Sequence, residues 1–258
     1  MDPARPLILA HISDLHFGDA DEGLLRAAQA ALNALQPDCI VATGDITQSG
    51  RRREFAAAAA WFDGLESPVV ACPGNHDAPV FALHRRFTQP FARFQALNLP
   101  AAWTDAQGRA AIHTFNSARA AQARWNWSHG AYRQDDIAKA LAWTKAAAPQ
   151  GWRILACHHP PRTPKGSPLA APTKGGPAAL RRLEEAPRTL LLCGHVHAPT
   201  AEPAGQARIL TAPTLASPRR RGHGNGFRVL RLFPETLTVE TWTADQAGFG
   251  PVSEAQAA

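Results

Sequence analysis

Leu7-Ile8-Leu9-Ala10-His11-Ile12-Ser13-Asp14-Leu15-His16 is an apolar run of strand length that opens onto two side chains able to bind metals or move protons. The same pairing recurs downstream. Cys39-Ile40-Val41-Ala42 leads to Gly44-Asp45, and Val69-Val70-Ala71-Cys72 leads to Gly74-Asn75-His76-Asp77. Ile154-Leu155-Ala156-Cys157 leads to His158-His159-Pro160, and Leu190-Leu191-Leu192-Cys193 to Gly194-His195-Val196-His197. A short continuous apolar run bounded by Gly or Pro reads as a strand buried on both faces. Polar residues just past such strands gather at one edge of a sheet, where open α/β sheets keep their sites.

Asp, His and Asn offer oxygen and imidazole nitrogen without thiolate. That set suits Mn, Fe, Zn or Co over a structural zinc cage. Asp14, His16, Asp45, Asn75, His158, His195 and His197 are candidate ligands, and the supply exceeds the roughly four to six that one ion takes. A pair of ions sharing a bridging carboxylate is the economical arrangement. Two metals about 3.5–4 Å apart cleave phosphoesters in many hydrolases.

These motifs, in this order from Leu7 to His197, resemble the calcineurin-like metallophosphoesterase superfamily. The resemblance implies an α/β fold, a four-layer α/β/β/α sandwich of two mixed β-sheets flanked by helices. It also implies a ligand set. Asp14, His16 and His197 hold one metal; Asn75, His158 and His195 hold the other; Asp45 bridges them. His76 is implied as a catalytic residue aimed at the leaving oxygen, and the nucleophile as a hydroxide shared by two divalent or trivalent ions. His158 is chosen over His159 because the family's ligand stands two residues before the proline.

Departures from related patterns narrow the branch. Gly44 to Gly50 reads Gly-Asp-Ile-Thr-Gln-Ser-Gly. Ser49 stands where Ser/Thr protein phosphatases carry a phosphate-gripping arginine, and Gln48 where purple acid phosphatases carry a tyrosine. The chain looks more like the bacterial cyclic-nucleotide and glycerophosphodiester phosphodiesterases. The function expected is hydrolysis of a small phosphodiester. Two alternatives are a DNA or RNA nuclease and a non-catalytic scaffold with the same fold. The scaffold is disfavoured because every ligand and His76 are present.

The 258 residues suit one large α/β domain, placed at residues 1–243 with a tail at 244–258. No apolar run approaches the roughly 18 residues of a membrane span. The run near the N-terminus is too short for a signal-peptide core, so the cytoplasm is the expected address. Cys39, Cys72, Cys157 and Cys193 form no C-x-x-C pair and read as small buried hydrophobes in a reducing compartment. The net charge is +6. A basic surface favours anionic partners, but arginine far outnumbers lysine and alanine is abundant, as a biased genome produces.

Helical spacing marks Leu24 to Leu35, Phe55 to Leu65 and Ile137 to Thr144. Residues 79–98 read as helical or irregular. Ala110–Phe115, Arg208–Thr211, Phe227–Phe233 and Leu237–Trp242 read as strands, the last two as a hairpin around Pro234-Glu235. Residues 160–177, rich in proline and glycine, read as a long loop that is either a lid or specificity loop, or disordered. His11 faces away from the ligands by alternation. His159, Asn116 and Arg85 are candidate substrate contacts, and Arg86 shares that reading. Asn116 caps a turn in the competing reading, and His159 supports the ligands from behind. Asp77 either orients His76 or steadies its turn. Trp125 and Trp127 fit core or base stacking, and Arg219 to Arg221 a solvated loop.

Overall fold

The apolar runs become strands that bury both faces, and that sets the layers. The computed structural model describes residues 5–122, 126–246 and 248–252. In chain order the elements are β1 (Leu7–Ile12), α1 (Glu22–Leu35), β2 (Cys39–Thr43), α2 (Arg52–Asp63), β3 (Val69–Cys72), α3 (Leu83–Thr88), α4 (Ala92–Gln95), β4 (Ala102–Thr104), β5 (Ala110–Thr114), α5 (Gln134–Ala147), β6 (Trp152–Ala156), α6 (Gly176–Glu184), β7 (Thr189–Cys193), β8 (Thr200–Ala204), β9 (Ala207–Thr211), β10 (Gly226–Leu232), β11 (Leu237–Asp245) and β12 (Gly248–Pro251). One sheet has the order β12-β11-β10-β1-β2-β3, the other β4-β5-β6-β7-β9-β8. In the first, β1, β2 and β3 run parallel. In the second, β5, β6, β7 and β9 run parallel, with antiparallel β4 and β8 at the edges.

Successive side chains on a strand point to opposite faces. Leu7, Leu9, Cys39, Val41 and Val70 therefore meet Ile112, Ile154, Ala156, Leu190 and Leu192 in the core between the sheets. The intervening Ala10, Ile12, Ile40, Ala42 and Ala71 pack outward against α1 and α2 through Leu25, Ala28, Leu32, Ala58 and Phe62. Leu155, Leu191 and Ile209 pack outward against α5 and α6 through Ile137, Ala140, Ala179 and Leu183. The architecture is two mixed sheets between outer helices.

The helices begin and end for local reasons. In α1 the Asp21 side chain accepts from the Leu24 N–H at 2.9 Å, an N-cap. Gln36 closes the helix in the left-handed region just before Pro37. In α2 the Glu54 carboxylate accepts from the N–H groups of Ser49 and Arg51, at 2.8 and 3.1 Å.

Two expectations need correction. Residues 244–258 are not simply a tail: β11 runs to Asp245, and β12 pairs antiparallel with it from Asp245↔Gly248 to Trp242↔Pro251. Residues 253–258 lie outside the described residues. The stretch 160–177 gives way to α6 at Gly176, and the loop before it is fastened. Thr173 Oγ1 donates to Pro160 O at 2.7 Å, and Tyr132 N to Lys174 O at 2.8 Å. Among the described residues, no helix is long and apolar enough to cross a membrane.

Candidate metal centre

Every candidate ligand leaves the sheets at the same edge. Asp14 and His16 follow β1, Asp45 follows β2, and Asn75 follows β3; His158 follows β6, and His195 and His197 follow β7. Backbone bonds tie these loops to one another. Asp14 N donates to Gly44 O and His16 N to Asp45 O, both at 3.0 Å, and Gly194 N donates to His158 O at 2.8 Å. Glycine lets the loops approach closely at two points. A methyl on Gly74 would collide with the Asp45 carboxylate, and one on Gly194 would meet Ser13 Oγ and Asp14 Oδ2.

The side chains converge on two adjoining spots. At the first, His197 Nε2 lies 3.1 Å from Asp14 Oδ1, and His16 Nε2 lies 3.3 Å from His197 Nε2 and 3.8 Å from Asp14 Oδ1. Ligand atoms about 2.1 Å from a tetrahedral ion stand about 3.4 Å apart, so the triangle has the size of a coordination shell. At the second, His158 Nε2 lies 3.1 Å from Asp45 Oδ2. Asp45 groups with His16 and His76 on one side and with Asp14 and His158 on the other, ligand atoms within 4.8 Å in each group. It stands between the two spots.

The hydrogen bonds decide what these atoms want. His197 Nδ1 donates to Arg219 O at 2.7 Å and His158 Nδ1 donates to Thr43 O at 2.8 Å. In each neutral ring the proton is then on Nδ1, and Nε2 presents a lone pair to a carboxylate oxygen. Two acceptors facing each other in a buried site need a cation between them. Asp14 Oδ1, Asn75 Oδ1 and His158 Nε2 are buried without a hydrogen-bond partner. Such orphans are costly unless something else satisfies them, and metal ions do so. The donor set thus fits a pair of ions.

The electrostatics agree. Burial pushes His158 down, but the charge of the nearby Asp45 carboxylate overrides it and lifts the pKa to about 10. Burial likewise lowers His197, and Asp14 raises it to a net upward shift. Burial raises both carboxyls, yet the facing histidines, His197 for Asp14 and His158 for Asp45, hold them below the ordinary range. His16 and His195 are pushed down to about 3, first of all by burial, and stay neutral. A cation that replaces the protons on His158 and His197 keeps these attractions.

His76 differs from the candidate ligands. It is half-buried where they are buried. Its backbone N–H donates to Asp45 Oδ1 at 2.8 Å and its Nδ1 to Gln48 O at 2.7 Å. The hydrogen bonds of Asp77 go to the site loops and not to the His76 ring. Its carboxylate accepts from Gly74 N and Thr47 N at 2.8 Å, from Thr47 Oγ1 at 2.9 Å and from Ile46 N at 3.3 Å, clamping two site loops together.

The other candidates fall elsewhere. His159, expected against substrate, is buried with both ring nitrogens used: Nε2 donates to Ser128 O at 2.7 Å, and Nδ1 accepts from Ser117 Oγ at 2.9 Å. Asn116 Oδ1 accepts from Ala118 N at 2.8 Å, capping a turn. Arg85 is exposed on α3. Arg86 is spent on the carbonyls of Ala120, Pro79 and Ala78, at 2.6, 3.1 and 3.3 Å. His11 donates to or accepts from Thr43 Oγ1 at 2.9 Å, beneath the site. Trp125 lies outside the described residues. The Arg219–Arg221 side chains are exposed, but the Arg219 carbonyl orients His197. That role had no sequence signal, because a backbone carbonyl is the same in every residue. Ser13, whose Oγ donates to Asp14 Oδ2 at 2.6 Å, was missed although it adjoins a ligand.

A family model described as calcineurin-like phosphoesterase matches residues 7–199. The glycerophosphodiester phosphodiesterase GpdQ of Enterobacter lignolyticus is 30% identical over 222 residues, 80% of this chain and 77% of that protein. The "probable cyclic nucleotide phosphodiesterase" syc0937_d of Synechococcus sp. is 24% identical over 226 residues, 83% of this chain and 82% of that one. Among solved structures, purple acid phosphatase PPD1 from yellow lupin superposes with a TM-score of 0.65 at 13% identity, over 97% of this chain and 54% of its own. The protein TT1561 of Thermus thermophilus gives 0.55 at 12% identity, over 92% and 99%. These two likenesses speak to fold alone. The chain belongs to the calcineurin-like phosphoesterase family and is a phosphoric ester hydrolase.

Proposed function

We propose that this chain is a phosphodiesterase with a two-metal centre, acting on a small diester of the cyclic-nucleotide or glycerophosphodiester type. The observation that carries the proposal is the buried pairing of lone pair against carboxylate at His197–Asp14 and His158–Asp45. Asp14, His16 and His197 would hold one ion, Asn75, His158 and His195 the other, and Asp45 both. Oxygen and imidazole donors suit Mn, Fe, Zn or Co. Ions held there supply Lewis acidity, neutralising phosphate charge and lowering the pKa of water.

The chain's own residues do the rest. Ser13 Oγ and the His195 N–H hold Asp14 Oδ2, turning Oδ1 inward. Thr43 O and Arg219 O fix the ring faces of His158 and His197. With the His76 Nδ1 proton given to Gln48 O, Nε2 is the nitrogen that exchanges a proton with the leaving oxygen. Histidine suits that task because its unperturbed pKa lies near neutrality. His159 supports His158 and His195 from behind, 4.7 and 4.5 Å away between ring centroids. The four cysteines are free and buried, which suits a reducing, cytoplasmic setting.

The diester preference rests on Ser49. Its N–H donates to the Glu54 carboxylate, and no guanidinium is supplied from its side chain. A dianionic monoester needs more positive charge than a monoanionic diester. Metal-reconstituted enzyme should therefore show a higher kcat/KM on bis-p-nitrophenyl phosphate than on p-nitrophenyl phosphate. A clear preference for the monoester contradicts the proposal.

A further inference from the structure

Of the large apolar side chains exposed among the described residues, Val80, Phe81, Leu83 and Phe87 fall in one stretch directly after His76, with Phe81 70% and Phe87 60% exposed. A contiguous exposed apolar patch marks a binding surface more often than chance exposure does. We propose that Phe81 and Phe87, with Trp127, form a stacking wall that takes the planar ring of a nucleoside phosphodiester. This rests on the phosphodiesterase reading above and selects the nucleoside type within it.

The wall is anchored to the catalytic machinery from two sides. Gln48 O accepts from His76 Nδ1 at 2.7 Å, and the next carbonyl, Ser49 O, accepts from Val80 N at 3.2 Å. The group that faces the leaving oxygen and the start of the patch therefore share one support. On the other side, Ser128 O accepts from His159 Nε2, next in sequence to the ligand His158. Trp127 precedes Ser128 and meets Phe87 edge to face, with ring centroids 6.0 Å apart. Arg86 joins the two sides, its guanidinium 5.4 Å from the Trp127 ring centroid and bonded to Ala120 O.

The chemistry of the wall selects its occupant. The Arg51 guanidinium sits 4.5 Å from the Phe81 ring centroid, covering one face, while the Phe81 side chain stays mostly exposed. Arg85 is exposed on the same short helix as Phe87. Aromatic faces interleaved with guanidinium groups match a molecule that is both planar and anionic. A nucleoside ester is both; a glycerol ester has no ring to stack. A second copy of the chain fits less well. A two-fold contact through this patch would gather Arg51 and Arg85 of both copies into one apolar interface, and concentrating like charge there is costly.

The test uses the metal-loaded protein, the methyl ester of adenosine 5′-phosphate, and glycerophosphoethanolamine as a diester without a ring. Binding is measured by calorimetry and turnover by kcat and KM. Phe81→Ala, Phe87→Ala and Trp127→Ala should each weaken binding of the adenosine ester about tenfold and raise its KM in step, with kcat and the glycerol ester unaffected. Phe81→Tyr should keep the affinity, whereas Phe81→Leu, apolar without a π face, should lose it. Equal losses on both esters would make the residues structural and overturn the wall. So would variants that change the sedimentation of the protein but not its KM. If wild type binds the adenosine ester in a ring-dependent way yet cleaves neither diester, the wall stands and the phosphodiesterase reading falls. If it cleaves both but binds the adenosine ester no better, that reading stands and the wall falls.

Discussion

Asp14, His16, Asp45, His195 and His197 all adopt a left-handed backbone, with φ of 52°, 53°, 48°, 70° and 56°. Residues other than glycine take this conformation at a cost of about 1–3 kcal/mol when the surroundings impose it. Here the cost falls on five of the seven candidate ligands; Asn75 and His158 are not among them. His76 lacks this conformation too, so what sets it apart is its half-buried ring and its bond to Gln48 O. The two kinds of residue should separate on mutation. His76→Ala should keep its metal content and lose roughly 10²–10⁴-fold in rate on esters with poor leaving groups. The loss should shrink for nitrophenyl esters, whose leaving groups hardly need a proton. Asp45→Ala should lose metal as well as rate. Metal analysis beside kcat on two leaving groups checks both. If His76→Ala harms good and poor leaving groups alike, His76 binds phosphate and does not donate a proton.

At the scale of elements, the loops between strand and helix are held as a unit by Asp77, which accepts from Ile46, Thr47 and Gly74. All its hydrogen-bond partners are donors, so Asp77→Asn would set an amide N–H₂ against an N–H group. That should destabilise the fold by about 1–3 kcal/mol. Urea unfolding of the metal-free protein measures it, and unchanged stability would remove Asp77 from this role. The strands that carry ligands were legible because β1, β2, β3, β6 and β7 bury both faces and read as unbroken apolar runs. The helices α1, α2 and α5 were legible from their spacing. Helix α6 was not, because Gly175 at φ 78° and Pro177 begin it with residues that read as loop. Strand β12 was hidden for a similar reason. Gly248-Phe249-Gly250-Pro251 has no alternation to read, and its strand character comes from pairing with β11.

Across the whole molecule, the candidate ligands were readable as motifs while what surrounds them was not. Ligand types are set by side chains, and the motifs carry them in order. The supports at Thr43 O, Gln48 O and Arg219 O are carbonyls, visible only once distant strands meet. The charge of +6 was readable too, but its placement was not. Arg219–Arg221 sit on the loop that orients His197, so the basic segment borders the site. One of its exposed side chains already has an acidic neighbour: Arg219 reaches Asp19 at 3.7 Å. The protein should bind single-stranded DNA only weakly at physiological salt, and alanine at all three arginines should leave small-diester turnover intact. Fluorescence anisotropy across salt concentrations tests this, since backbone binding gives a log–log slope near −0.7 per phosphate neutralised on a single strand. Sub-micromolar binding that collapses in the variant would favour a nuclease.

On our proposal, buried carboxylates and imidazole lone pairs from two sheets face each other because two ions belong between them. Metal-free protein reconstituted with Mn, Fe, Zn or Co, then freed of excess ion, can be assayed for bound metal and diester turnover on the same sample. Activity should rise with occupancy and saturate near two equivalents per chain. Full activity at one equivalent, with no second ion taken up, would contradict it.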